Sequence, residues 1–223
     1  IMVPVTHMLT PEDMRHRLNS GRIKAVVCAA EDRLPEKIRE AVKGNDTLQV
    51  SFTVQKDVPG FMNLTNAVET ASETLERVPT KATDPLAIYF TSGTSGEPKG
   101  VIHDHTYPLL HIVTAKYWQK AEEDGLHFTM AETGWAKTNW GKLYGQWLLG
   151  SAVMVYDFDN FDPKQVEHII NKYGVTTFCA PPTIFRYMVM KKVSDLKGLK
   201  HTVTAGEGRD MLGNNLGAFF LTV

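Results

Sequence analysis

The sequence predicts an α/β protein, and three observations carry that reading. Short apolar runs of strand length alternate along the chain with segments whose apolar residues recur at helical spacing. Caps, prolines and glycines sit where helices should start and stop. The composition is that of a globular chain: 223 residues, 43% hydrophobic, 22% charged and 9% aromatic, enough to bury a sizeable core.

The elements follow in order. Thr10-Pro11-Glu12-Asp13 opens a helix: Thr10 caps, Pro11 suits the first helical position, and Asp13 completes a capping box. Met14 and Leu18 lie one turn apart on its inner face, and Gly21 stops it. Ile23 to Cys28 reads as an apolar strand. Leu34 to Val42 reads as a helix with Ile38, Ala41 and Val42 on one face and Gly44 past its end. Leu48 to Val54 is the next strand, and Asn63 to Glu76 is predicted helical.

After a polar connector, Pro79 to Pro85, comes a buried strand, Leu86 to Phe90, with Val101 to His103 as the returning strand. Helices are predicted over His105 to Trp118 and Trp140 to Leu149, with a strand over Ala152 to Tyr156. Asp162-Pro163 starts a helix with inward positions Val166, Ile169, Ile170 and Tyr173, ended by Gly174. Val175 to Ala180 is a strand, Thr183 to Lys191 a helix, and His201 to Thr204 a last strand.

Several function classes are excluded at this level. Lys plus Arg is 24 and Asp plus Glu is 25, a net charge of −1, so no global positive field holds nucleic acid. The longest apolar candidate, Trp147 to Tyr156, is too short to span a membrane and is broken by Gly150 and Ser151. The apolar N-terminus lacks a positive region and contains Pro4, a poor signal peptide. Cys28 and Cys179 sit in apolar runs and read as buried thiols in a reducing compartment, cytoplasmic by expectation. The chain opens on Ile1 rather than Met, which suggests residues upstream.

The chemistry concentrates in Thr91-Ser92-Gly93-Thr94-Ser95-Gly96-Glu97-Pro98-Lys99-Gly100. Four hydroxyls, three glycines and one lysine follow directly on an apolar strand. Glycine admits positive φ and removes Cβ, so backbone N–H groups can converge on an anion. The hydroxyls add donors, Lys99 supplies a point charge for a polyphosphate, and Pro98 stiffens the segment before it. The spacing is not that of the Walker motif, whose second glycine position is here Pro98.

TSGTSGEPKG closely resembles the phosphate-binding signature of the adenylate-forming superfamily: acyl-CoA synthetases, aryl-CoA ligases, luciferases and peptide-synthetase adenylation domains. Glu132-Thr133-Gly134-Trp135, HDHTYPLLHIVTAKYW, WGKLYGQWLLGSAVMVYDFDNFDP and YGVTTFCAPPTIFRYM are similar to its medium-chain acyl-CoA synthetase branch. The resemblance covers residues 1–207 and implies part of the large N-terminal domain of such an enzyme, mixed sheets flanked by helices. It implies ATP, Mg²⁺ and coenzyme A. A carboxylic acid, fatty and of medium or short chain, is activated as an acyl-adenylate and passed to the thiol. By the same resemblance Thr91 to Lys99 wrap the β- and γ-phosphates, with Lys99 stabilising their charge. Ala205-Gly206-Glu207 lie against adenine, and Trp135 lies near the acyl pocket.

The motifs of the family's second half (a Thr-Glu pair at the adenylate, a ribose-binding Asp, a hinge and a catalytic lysine in a small C-terminal domain) do not occur in this sequence. The sequence therefore reads as a fragment that is inactive alone, and residues 208–223 form a tail that departs from the family's pattern. An aryl- or benzoate-CoA ligase, and a non-catalytic nucleotide-binding or scaffold derivative, remain open as alternatives.

Other residues carry plainer expectations. Trp140 is core material or tunnel lining, and Lys137 a solvated surface lysine. His103 and His105 back the phosphate loop structurally, no metal site being expected. Asp157, Asp159 and Asp162 form a cap and solvated loop rather than a calcium site, since an EF-hand's Gly and distal Glu are missing.

Overall fold

The computed structural model describes residues 1–31, 33–91, 97–158 and 160–204. The chain divides into two compact units, Ile1–Asp104 and His105–Val223.

In the first unit, helix α1 (Pro11–Ser20) starts as its sequence predicts. Thr10 Oγ1 accepts from the Asp13 amide at 3.2 Å, and the Asp13 carboxylate accepts from the Thr10 amide at 3.4 Å and from its hydroxyl at 2.7 Å. Those bonds to Thr10 hold the Asp13 carboxyl below its ordinary range. Strand β1 (Ala25–Ala29), helix α2 (Leu34–Ala41), strand β2 (Val50–Val54) and the two-residue strand β3 (Met62–Asn63) follow, and the three strands form a parallel sheet in the order β1-β2-β3. Met14, Leu18, Leu34, Ile38 and Ala41 make the core, with Val26 of β1 packed against it. Cys28 shares the inward face of β1 with Val26 and packs against this core, but is only half-buried.

Helix α3 (Leu64–Glu69) is far shorter than the predicted Asn63 to Glu76. None of its residues is buried, so no tertiary contact rewards its extension. At its end Thr70 Oγ1 donates back to the carbonyls of Asn66 and Ala67, both at 3.3 Å, and Ser72 bonds to Thr74. Short hydroxyl side chains here offer the backbone local alternatives to another helical turn.

Strands β4 (Pro85–Thr91) and β5 (Lys99–Asp104) form an antiparallel hairpin, with Thr91 opposite Lys99, Phe90 opposite Gly100 and Ile88 opposite Ile102. On the other edge of β4, Met2 pairs in parallel: its amide donates to Leu86 and its carbonyl accepts from Ile88, both at 2.9 Å. Ala87 and Tyr89 of β4 point inward and are buried.

The second unit holds a four-stranded parallel sheet. Its strands are β6 (Leu126–Thr129), β7 (Ala152–Met154), β8 (Thr177–Ala180) and β9 (His201–Thr204), in the order β7-β6-β8-β9. Helix α4 (Tyr107–Val113) runs into a π-helical turn, Thr114–Trp118. The helix predicted over Trp140 to Leu149 is two pieces, a π-helical turn Asn139–Leu143 and α6 (Tyr144–Leu148), preceded by the short helix α5 (Ala136–Thr138). Helix α7 (Pro163–Tyr173) has the predicted cap, Asp162 accepting from the Lys164 amide at 3.0 Å, and ends at Gly174 with φ 68°. Val166, Ile169 and Ile170 are buried, but Tyr173 points out to solvent. Helix α8 (Pro182–Met190) joins α7 on the core of Phe128, Phe178, Ile170 and Val175.

Candidate functional site

The β4–β5 hairpin positions the glycine- and hydroxyl-rich loop. The ladder clamps both ends of that loop at Thr91 and Lys99, whose side chains are exposed. Thr91 Oγ1 lies 3.5 Å from the Lys99 carbonyl, at the outer limit of a hydrogen bond. Ser92, Gly93, Thr94, Ser95 and Gly96 lie outside the described residues, as do Ala205, Gly206 and Glu207 beyond β9.

Gly100 has a different role from the one its place in the motif suggests. It belongs to β5, and a Cβ there would meet Ile88 Cγ2 at 2.9 Å and the Phe90 ring at 3.6 Å. The missing Cβ leaves room for the Ile88 side chain on the facing strand.

Helix α1 grips the same hairpin. His16 Nε2 donates to the Pro98 carbonyl at 2.9 Å, and His16 Nδ1 is 3.3 Å from the Glu97 carboxylate. The imidazole stands edge-on to Phe90 at 6.1 Å between centroids, and the Arg17 guanidinium lies 5.4 Å from the same ring. His16 is 82 residues from Pro98 in sequence, so no local spacing signals the pair. His103 of β5 stacks edge-on against Tyr89 at 5.3 Å, a structural contact within the hairpin.

In the second unit, Trp135 precedes α5 and is 45% exposed. Glu132 organises its turn, accepting from the amides of Gly134 and Trp135 and from the Thr138 hydroxyl at 2.6 Å. Trp140 packs in an aromatic group, stacked on His111 at 5.7 Å and tilted against Trp118 at 6.2 Å. Lys137 is buried, 5% exposed, against the expectation of a solvated lysine. Helix α5 turns it inward: its Cγ is a near neighbour of Gly141, and its charge pulls against the burial that pushes the Cys179 thiol up.

Beside it lies a buried polar cluster with no counterpart in the sequence reading. The Gly141 carbonyl, in the second π-helical turn, accepts from Thr129 Oγ1 at 2.7 Å, Gln119 Nε2 at 2.8 Å, His127 Nε2 at 3.2 Å and Gln146 Nε2 at 3.3 Å. A π-turn shifts backbone pairing out of the α register, and polar side chains take up this carbonyl instead. His127 is wholly buried, and its Nδ1 is 2.7 Å from Thr177 Oγ1. One assignment satisfies every partner: a neutral ring with Nε2–H shared between Thr129 Oγ1, 2.7 Å away, and the Gly141 carbonyl, and with Nδ1 accepting from Thr177. Burial pushes His127 down to about 4, with the neighbouring Lys142 charge acting the same way and the Gly141 bond opposing. Lys142 is itself buried, which lowers its pKa. Gln146 also donates to Gln119 Oε1, while its own Oε1 is buried without a partner.

Among the described residues no group of three His, Cys, Asp or Glu side chains could hold a metal ion, and no helix is long and apolar enough to cross a membrane.

Comparison with known proteins adds the following. Residues 1–219 match the family described as AMP-binding enzyme. Acyl-coenzyme A synthetase ACSM5, mitochondrial, of Homo sapiens is 32% identical over 211 residues, 93% of this chain and 36% of that protein. The chain thus spans little more than a third of the curated relative's length. Among solved structures, the Brucella canis acyl-CoA synthetase superposes with a TM-score of 0.78 at 23% identity, covering 93% of this chain and 38% of that one. The anthranilate CoA ligase AuaEII, in complex with anthranoyl-AMP, gives 0.80 at 22% identity, covering 91% and 40%. At these identities the structures report the fold.

Proposed function

The chain belongs to the AMP-binding enzyme family, and on that premise we propose that it serves an AMP-forming acid–thiol ligase, an ATP-dependent acyl-CoA synthetase. Its substrate is a carboxylic acid, a medium- or short-chain fatty acid by the resemblance of its motifs to the medium-chain branch. The observation that carries the reading is the β4–β5 hairpin, whose loop emerges between the paired residues Thr91 and Lys99 with the lysine side chain in solvent.

The roles follow from chemistry. In the first step the acid's carboxylate attacks the α-phosphate of ATP and pyrophosphate leaves. Coenzyme A thiol then displaces AMP. The pyrophosphate gathers negative charge as its bond breaks, and Lys99 supplies a compact cation to offset it. Thr91, the hydroxyls and amides of residues 92–96, Glu97 and Pro98 form the rest of the phosphate loop. Trp135, half in solvent at the start of α5, borders the acyl group in this reading, and Ala205, Gly206 and Glu207 flank adenine. Mg²⁺, when bound, screens the phosphates.

The reading includes a reducing compartment for Cys28 and Cys179, cytoplasmic, or mitochondrial as in the name of the human relative. Its partners are small molecules, and no nucleic acid is involved. The test is acid-dependent exchange of radiolabelled pyrophosphate into ATP, on the protein at the length its gene encodes, with butyrate, octanoate and benzoate. Exchange with the two fatty acids is expected. Exchange with benzoate alone points to an aryl-CoA ligase, and nucleotide binding without exchange to a scaffold.

A further inference from the structure

The family signature ends at the loop; what holds the loop's exit lies elsewhere in the chain. The peptide plane joining Pro98 to Lys99 carries the Pro98 carbonyl at one end and the Lys99 nitrogen at the other. Whatever fixes that carbonyl sets the direction in which the lysine leaves the backbone. The carbonyl is held by the ring of His16, 2.9 Å away on α1.

Three contacts make this a built arrangement rather than a surface encounter. A proline carbonyl is an acceptor only, so the Nε2 proton is committed to it. The opposite ring nitrogen faces the Glu97 carboxylate at 3.3 Å, on the residue just before Pro98. The ring also stands against Phe90, which pairs with Gly100 across the hairpin, while Arg17 covers Phe90 from the next position of α1. One turn of α1 thus touches the strand entering the loop and the segment leaving it. The helix is itself anchored by its capping box and by buried Met14 and Leu18. Ser20 stays local: its hydroxyl donates to the His16 carbonyl at 2.6 Å and lies 3.4 Å from Nε2. The Glu97 pair is largely in solvent and adds little. The half-buried bond to Pro98 is the effective one.

We propose that His16 is a positioning residue for Lys99: by holding the Pro98 carbonyl, α1 aims the lysine at the pyrophosphate end of the nucleotide. The inference rests on the phosphate-binding reading of Lys99 given above.

The experiment uses acid-dependent ATP–pyrophosphate exchange on the protein at its encoded length. His16→Ala is expected to raise KM for pyrophosphate about five- to tenfold, the loss of one hydrogen bond, and to leave KM for the acid unchanged. His16→Gln, whose amide can donate to the same carbonyl, should restore KM to within about twofold. In a Lys99→Ala background, His16→Ala should add no further effect, because the two act through one contact. His16→Phe keeps the ring against Phe90 and removes the donor, so it carries the test should the alanine variant not fold.

A merely structural role would lower the melting temperature without moving KM for pyrophosphate. That result, a failure of both His16→Ala and His16→Phe to fold, or additive loss in the double variant, overturns the inference while leaving the phosphate reading intact. If Lys99→Ala itself leaves exchange unchanged, or the unsubstituted protein shows no exchange, the phosphate reading fails and the inference falls with it.

Discussion

The first unit displays Lys99 to solvent, whereas the second buries two lysines. Lys99 stands in solvent where the β4–β5 hairpin opens into its loop. Lys137 and Lys142 lie inside the second unit, among the neutral polar groups gathered on the Gly141 carbonyl. The difference is one of solvation. A cation meant for an incoming anion stays hydrated until the anion arrives, and then gives up water only where a charge replaces it. A buried polar group must find its partners within the fold, so it fixes geometry and stays neutral where it can. The loop's one lysine should therefore be replaceable without loss of stability, and groups in the cluster should not.

The largest expected effect is on stability. His127→Leu leaves the buried hydroxyls of Thr129 and Thr177 short of partners, and about 4 kcal/mol of unfolding free energy should be lost in urea titration. A loss under 1 kcal/mol would show that the cluster is dispensable and erase the contrast.

Next is pH. The folded His127 has its pKa pushed down to about 4 from an ordinary 6.5, so between those values the unfolded chain binds the extra proton. Stability contributed by the neutral ring is intact above pH 6.5 and drains away as pH falls toward 4. It amounts to the order of 3 kcal/mol, at about 1.4 kcal/mol per pKa unit. Urea midpoints across that window should fall in the unsubstituted protein and more shallowly in His127→Leu. Equal slopes would mean that the ring accepts its proton freely.

On the displayed side, Lys99→Ala should slow pyrophosphate exchange about thirtyfold, or about 2 kcal/mol of transition-state stabilisation. Its melting temperature should stay that of the unsubstituted protein, since the side chain is exposed. A lowered melting point with unaltered exchange would reverse the assignment.

The smallest effect sharpens the comparison from the other direction. Lys142→Met removes an ammonium whose burial disfavours its charge, and should stabilise by about 1 kcal/mol in the same titration. Destabilisation instead would reveal that the charge is paired in the fold.

Legibility differed between elements for a physical reason. The capping box of α1, the cap and glycine stop of α7, and the apolar strands β4 and β8 are local codes, and each appears where the sequence places it. Strand β6 went unrecognised, though it is an inner strand of its sheet. Its sequence, Leu-His-Phe-Thr, lacks the apolar run expected of a strand buried on both faces. His127 and Thr129 can occupy such a strand because Thr177 and Gly141, fifty and twelve or more residues away, satisfy them. The π-helical turns are hidden likewise, since nothing in the residues of Thr114–Trp118 or Asn139–Leu143 marks a change of pairing.

What the sequence determined by itself was the alternation of strands and helices, their caps, the family, and the loop that carries Lys99. Each of these depends on neighbours a few residues apart, or on a contiguous motif. Only the tertiary structure decided that Lys137 is buried, that Gly100 makes room for the Ile88 side chain, that His127 is a neutral strut, and that His16 reaches the Pro98 carbonyl at the end of the loop. Those are matters of which distant groups share a dehydrated space, and burial makes a polar side chain's environment, not its identity, set its charge and its role.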